Sequence, residues 1–536
     1  MKATRSRRLR RAALFAASAV GVAATALGAS AGGALASSGS GSASPIVHST
    51  GGLVRGADVA GVDSFLGLPY AAPPTGNLRW RPPQPAASWS GVRDATQFGP
   101  SCPQALTGNP LLPPGKISED CLYLNVYTPA LHDHSGGGRP VLVWIHGGGL
   151  VQDGARNYDG TKLAADGTVV VTINNRLGAL GFLAHPALAS HGAAGNYGLM
   201  DQQAALRWVQ RNIARFGGDP RNVTIAGQSA GGLSVLAQLV SPGARGLFQR
   251  AIVQSGTFAL NQRPLATAET AGETFATAVG CPGQSAACLR NVPVSNLVSK
   301  FGVEIPGVVD GAVLTQPIGT ALARGQFARV PVINGITHDE ELLFVDGLKL
   351  TVSQGTNIPL AAPLDGSETT YEADIAQALG VSPARAAAIA AVYPLSANPT
   401  RPDEVFGLAV SDASFACPAL QVDRWTAARG VPTYAYQFND DAAPGFGLGQ
   451  ATHGAELPYL FDLPNMPVVL NPGQQALAAS MRTDWASFAR TGNPSSRALP
   501  WPAFGNGAKV LSLVPEQSAV ETDFAAAHHC GFWAAG

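Results

Sequence analysis

The chain has 536 residues, with 35 Lys and Arg against 35 Asp and Glu, 13% charged residues and 46% hydrophobic ones. A zero formal net charge argues against a nucleic-acid-binding protein, because neutralising phosphates takes a clustered excess of Lys and Arg. The apolar fraction is that of a globular protein, and 63 Gly with 40 Pro stay below low-complexity levels, which excludes a disordered chain. Length alone gives a soft expectation of about three domains.

The N-terminus separates by composition. MKATRSRRLRR is basic and free of acid, and an uncharged run from Ala12 to about Ala36 follows it. A charged region before an apolar one predicts a secretory signal peptide over residues 1–36, with Ala29-Ser30-Ala31 and Ala34-Leu35-Ala36 as cleavage patterns. The run is mostly Ala, Gly and Ser, too weakly apolar for a permanent span. The pair Arg7-Arg8 leaves both the Sec and the twin-arginine export routes open. SSGSGSASP beyond it reads as a flexible spacer, 37–44, before one domain, 45–536. Removing the basic leader leaves the remainder mildly acidic. No second uncharged apolar stretch of about 20 residues follows, so no stable membrane span is expected. Cys102, Cys121, Cys281, Cys288, Cys417 and Cys530 are an even set that suits an oxidising compartment. They lack C-x-x-C metal spacing, and their pairing is open on sequence alone.

Short β-branched runs bounded by Gly, Pro and Asn recur downstream: Val141–Ile145, Val169–Ile173, Val223–Ala226, Ala251–Gln254 and Val330–Asn334. Continuous apolar runs suit strands covered on both faces. Between the second and third, Leu199, Leu206, Val209, Ile213 and Phe216 share one helical face, predicting a helix from Tyr197 to Arg215 stopped by Gly217-Gly218 and Pro220. Alternating strands and helices imply an α/β fold with a large, mostly parallel sheet. The Pro- and Gly-rich stretches Ala71–Pro85 and Gly108–Gly115 read as long ordered loops, which often shape active sites.

Gly227-Gln228-Ser229-Ala230-Gly231 falls between the strand Val223–Ala226 and an apolar helical run through Val240. So tight a turn forces strained backbone angles, needs small neighbours, and pushes the serine out above the sheet at a helix N-terminus, as a nucleophile requires. A nucleophilic serine needs a stabilised oxyanion. His146-Gly147-Gly148-Gly149, directly after the strand Val141–Ile145, lets backbone N–H groups point into a cavity, and the N–H of Ala230 adds a third donor. In this arrangement the acid and then the histidine follow the serine in the chain. His528 and His529 sit beside Cys530 at the chain end and read as terminal surface residues. His338 leaves almost no chain for the acid. His453 lies in a loop after the strand-like Thr433–Phe438 and is the expected base. Asp339, Glu340 and Glu341 all follow the strand Val330–Asn334 at a suitable distance, and spacing does not separate them.

These motifs, together with Phe65-Leu-Gly-Leu-Pro-Tyr-Ala-Ala-Pro-Pro74, Ser118-Glu-Asp-Cys-Leu-Tyr-Leu-Asn-Val126, Trp144-Ile-His-Gly-Gly-Gly149, Gly195-Asn-Tyr-Gly-Leu-Met-Asp-Gln202 and Phe216-Gly-Gly-Asp-Pro220, resemble the type B carboxylesterases. That α/β-hydrolase family includes para-nitrobenzyl esterases, certain lipases and the cholinesterases. The resemblance runs from about Phe65 to Trp533. It implies Glu340 as the acid, His453 as the base, and Gly148, Gly149 and Ala230 as the oxyanion hole. Ser255, in Gln254-Ser255-Gly256, looks like a second serine that supports the histidine. The resemblance also implies disulfides Cys102–Cys121, Cys281–Cys288 and Cys417–Cys530, and structural ion pairs Arg79 with Glu119 and Arg176 with Asp201. Two positions depart from the pattern. Gln228 stands where the family usually has Glu, and the segment between Cys102 and Cys121 contains no Trp, which removes the cation–π partner that a choline ester would need. Leu150, where relatives often carry an aromatic residue, implies an altered pocket.

The expected activity is that of a secreted serine carboxylesterase acting through an acyl-enzyme on a small-molecule or lipid ester, without a metal or organic cofactor and without a nucleic-acid partner. A lipase with a mobile lid in the 102–121 loop keeps the same fold and chemistry. A catalytically dead adhesion homologue is the alternative of another class, and the filled Ser229, Glu340 and His453 positions argue against it.

Overall fold

The computed structural model describes residues 44–105, 113–131, 137–189, 194–301, 307–347, 350–353, 356–359, 368–444, 449–466, 468–496, 499–505 and 507–535. The segments expected as signal peptide and spacer lie outside these residues except for Ser44, as does 106–112 of the expected lid.

An eleven-stranded mixed sheet forms the centre. In chain order its strands are β1 (Ala57–Val59), β2 (Val62–Pro69), β3 (Tyr123–Pro129), β4 (Arg139–Ile145), β5 (Val169–Ile173) and β6 (Gly218–Gln228). They continue with β7 (Arg250–Gln254), β8 (Val332–Thr337), β9 (Thr433–Phe438), β10 (Val510–Leu513) and β11 (Ala519–Glu521). The spatial order is β11-β10-β9-β8-β7-β6-β4-β5-β3-β2-β1. From β5 through β4 to β10 every pairing is parallel. The edges are antiparallel, β11 on one side and β3, β2 and β1 on the other. Helices on both faces cover the parallel centre, so strands such as β5 and β8 are buried at every position, the reason their sequences read as unbroken apolar runs.

The helix predicted from Tyr197 is α1 (Tyr197–Asn212), which tightens into a 3₁₀ turn over Ile213–Phe216. Gly217, with φ 81°, ends it in the left-handed conformation that a Cβ disfavours. α2 (Ala230–Val240) begins directly after β6 and is buried throughout. Between β8 and β9 lies a helical insertion that includes α3 (Pro402–Ser411) and α4 (Cys417–Ala427). It carries a core of its own built on Tyr371, Ile375, Ile389 and Phe406. The continuous helical run Pro402–Ala427 is long and apolar enough to cross a bilayer, but 78% of its most apolar window is buried in the fold, as befits a core helix. α5 (Pro472–Thr491) starts on a capping box, Asn471 with Gln474, and ends at Gly492.

The three disulfides implied by resemblance are formed, Cys102–Cys121, Cys281–Cys288 and Cys417–Cys530, and they belong to an oxidising environment. Both expected ion pairs are present, Arg79 with Glu119 and Arg176 with Asp201, each at 2.7 Å. Each Arg makes two hydrogen bonds to its partner's two carboxylate oxygens, the fork geometry that holds guanidinium and carboxylate planes together. His528 differs from expectation. It is buried, its Nδ1 lying 2.5 Å from Asp412 Oδ1 and its Nε2 2.9 Å from the Gln437 amide. The Cys417–Cys530 disulfide and the short helix Phe524–Ala527 fold the chain end onto the insertion, which turns a terminal residue inward. His529 stays exposed.

Candidate active site

β4, β6, β7 and β8 each place a candidate residue within a few positions of their carboxyl ends, and the longer loop after β9 carries His453, at the sheet edge where parallel sheets open a crevice. Beyond β6 the chain turns into α2 through Ser229, whose φ of 59° and ψ of −127° are unfavourable for a residue with a side chain. The turn closes because its neighbours lack one. A Cβ on Gly231 would stand 2.0 Å from the Ile145 carbonyl oxygen, and one on Gly227 would stand 2.5 Å from the Gly231 carbonyl carbon. The Ser229 N–H donates to the Gln254 carbonyl at 2.8 Å, tying the elbow to β7. Ser229 Oγ does not cap its own helix.

After β4, Gly148, Gly149 and Leu150 have φ of 79°, 63° and 57°. This left-handed run folds the loop back on itself, with the Gly148 carbonyl accepting the N–H groups of Val151 and Gln152 at 3.1 Å. Among the described residues the N–H groups of Gly148 and Gly149 have no acceptor. A Cβ on Gly147 would come within 3.2 Å of Ser229 Cβ, so the loop lies against the serine. The Ala230 N–H is a first-turn donor of α2, one of the helix groups left without an intrahelical partner. Buried Asp153 braces the loop's far end, accepting from the Gly154 N–H, the Asn157 amide and the Tyr158 hydroxyl.

Geometry distinguishes the three carboxylates that spacing leaves equivalent. Glu340 Oε2 lies 2.5 Å from His453 Nδ1, and Glu340 Oε1 accepts the Thr337 N–H at 3.0 Å. Asp339 turns the other way and pairs with His338 at 2.8 Å, and the Glu341 N–H donates to Ser411 Oγ. The Asp339 N–H donates to the Ala451 carbonyl, stitching the two loops together beside the pair. Phe344 and Phe415 flank the imidazole at 5.1 and 5.4 Å. His453 Nε2 is buried and has no hydrogen-bond partner among the described residues. Neither Ser255 Oγ nor Gln228 Nε2 has one, although both side chains are buried beside the elbow.

Sequence reasoning passed over Glu456. It is fully buried, three residues beyond His453, and its Oε1 accepts from the Gln254 amide, whose own oxygen accepts from Trp485 Nε1. Burial first, and then the charge of Glu340, raise its carboxyl to about 7. The only sequence signal was a carboxylate at i+3 from the histidine in Thr452-His-Gly-Ala-Glu456.

Comparison with known proteins gives the family. The Carboxylesterase family profile matches residues 43–533. The chain is 37% identical to the human protein named cocaine esterase, over 88% of each chain. It is 38% identical to the rat protein named pyrethroid hydrolase Ces2e, over 88% of this chain and 86% of that one. It is 36% identical to fumonisin B1 esterase of Sphingopyxis macrogoltabida, over 87% and 86% respectively. With the family's profile spanning the sheet, the elbow and the histidine loop alike, the chain belongs to the carboxylesterase family and is a hydrolase of carboxylic esters.

Proposed function

We propose that Ser229, His453 and Glu340 form the catalytic triad of a secreted serine carboxylesterase working through an acyl-enzyme. The observation that carries the reading is the Glu340–His453 pair at the carboxyl ends of β8 and β9, in the crevice where β6 ends in the strained Ser229 elbow. His453 Nε2 takes the proton as Ser229 Oγ bonds to the ester carbonyl carbon, and Glu340 stabilises the imidazolium. The oxyanion rests on the N–H groups of Gly148, Gly149 and Ala230. Collapse breaks the bond to the alcohol, which leaves with the proton from His453. Water, deprotonated by His453, then attacks the acyl carbon, releases the carboxylic acid and restores Ser229. Ser255 and Gln228, packed under the elbow, position the pair and the serine.

A small apolar pocket of about 150 Å³ borders the oxyanion loop at Val151 and Gln152, walled by Leu177, Leu180, Leu297 and Phe301. Its lining includes no triad residue, and it has room for an apolar group of an ester held at the neighbouring loop. The names of the relatives span cocaine, pyrethroid and fumonisin esters, so the shared chemistry is the ester linkage. Purified protein is expected to hydrolyse short-chain p-nitrophenyl esters and to be labelled by a fluorophosphonate. Ser229→Ala should lower kcat by at least ~10⁴-fold and abolish labelling. Activity retained in that variant overturns the assignment.

A further inference from the structure

The proline-rich stretch Ala71–Pro85 borders a cleft at its far end. Pro82, Pro83, Gln84 and Pro85 wall a cleft of about 730 Å³ whose lining includes none of Ser229, Glu340 or His453. The facing wall is a single stripe of α1. Met200, Gln203, Ala204, Arg207, Trp208 and Arg211 recur at the three- and four-residue spacing of one helical face. Trp89 also lines it, its indole N–H held by the Leu53 carbonyl at 2.8 Å.

The chemistry of this lining is one-sided. It combines Trp89, the largely buried Trp208, four prolines and two guanidinium groups, with no Asp or Glu. Arg207 donates to the Gly243 carbonyl at 3.0 Å, and among the described residues neither Arg207 nor Arg211 has a carboxylate partner. They stand one helical turn apart, so each charge is unfavourable to the other. Partial burial and the Arg211 charge both lower the Arg207 pKa. Paired, uncompensated guanidinium groups beside flat apolar walls are complementary to a ligand that carries one anionic group on a ring.

We propose that this cleft is a second binding site, for a small amphipathic organic anion: an aromatic or alicyclic carboxylate or sulfonate whose ring lies among Trp89, Trp208 and the prolines, with its anionic group across Arg207 and Arg211. The site is independent of the triad assignment. The cleft also borders Ser241, the residue that follows the last turn of α2. The Gln203 amide donates to Gln238 Oε1 at 3.1 Å and to Ser241 Oγ at 2.9 Å, joining the two helices at that end.

Isothermal titration of the full chain with naphthalene-2-sulfonate, which has no ester to hydrolyse, tests the proposal. Saturable binding is expected, weakened at least about tenfold in Arg207→Ala/Arg211→Ala and in Trp89→Ala. The uncharged naphthalene-2-sulfonamide should bind the native protein at least about tenfold more weakly. This second comparison does not depend on any variant folding. Inorganic sulfate alone should compete only weakly, since it lacks the ring. Equal affinity for sulfonate and sulfonamide, equal affinity in the native protein and the double variant, or no saturable binding at about millimolar ligand would each overturn the site.

Discussion

Glu340 Oε2 and His453 Nδ1 lie 2.5 Å apart across 113 residues of chain, both side chains buried. A carboxylate there accepts the Nδ1 proton, which leaves Nε2 with its lone pair free to take a proton. The other Glu340 oxygen is held by the Thr337 N–H at the end of β8, so the carboxylate cannot rotate away without breaking a second bond.

Glu340→Gln is therefore expected to preserve the fold while offering His453 an amide in place of a charge. Where the amide N–H faces the ring, the wrong tautomer is favoured. kcat should fall by about 10³–10⁴-fold, with KM changed only a few-fold. Steady-state kinetics on a p-nitrophenyl ester check this, and a loss of less than about tenfold would remove Glu340 from the triad.

The elbow separates two glycines that the sequence presents alike. A Cβ on Gly231 meets the Ile145 carbonyl oxygen at 2.0 Å, whereas one on Gly149 has only Val151 within reach, at 3.7 Å. Gly231→Ala should destabilise the fold by about 3 kcal/mol or more, because two backbone segments must part. Gly149→Ala meets only the left-handed penalty of about 1 kcal/mol, and its cost should appear in kcat. Denaturant unfolding and kinetics on both variants should show opposite ratios of stability loss to activity loss.

What the sequence made legible follows from how local each feature is. The strained Ser229 elbow and the glycine loop after β4 are legible because the strands, the glycines and the helix that define them are contiguous. Spacing leaves Asp339, Glu340 and Glu341 equivalent, and in the sequence only the family resemblance points to Glu340. Only the backbone's direction after β8 sends Asp339 to His338 and Glu340 to His453. His528 was misplaced at the surface because its environment, Asp412 and Gln437, comes from residues about a hundred positions away. Glu456 was overlooked for the same reason, its partner Gln254 being 202 residues distant.

The disulfides should contribute unequally. Cys417–Cys530 spans 113 residues and Cys281–Cys288 spans 7, so chain entropy assigns the first about 5 kcal/mol and the second about 2.5 kcal/mol. The double Ser variant of Cys417 and Cys530 should lose more stability in denaturant unfolding than that of Cys281 and Cys288. It should also expose His528, because the chain end is released from Asp412. An equal loss in the two variants would mean that the denatured state is already compact around the insertion.

Glu456 gives the protein a pH dependence of stability with a definite sign. Its folded carboxyl titrates at about 7, raised by burial and by Glu340, whereas an unfolded glutamic acid titrates at about 4.3. Between those values the folded protein keeps a proton that the unfolded chain has lost, so stability falls as pH rises through the window and then levels off. Glu456→Gln retains an oxygen for the Gln254 amide and has nothing to ionise. Its stability relative to the native protein should therefore be near zero difference at pH 4.5 and grow in the variant's favour, by about 3 kcal/mol, up to pH 8. Denaturant unfolding at half-unit steps across that range measures the divergence. Parallel curves would show that Glu456 keeps one ionisation state throughout, and that the uncharged form is not what packs beneath the Glu340–His453 pair.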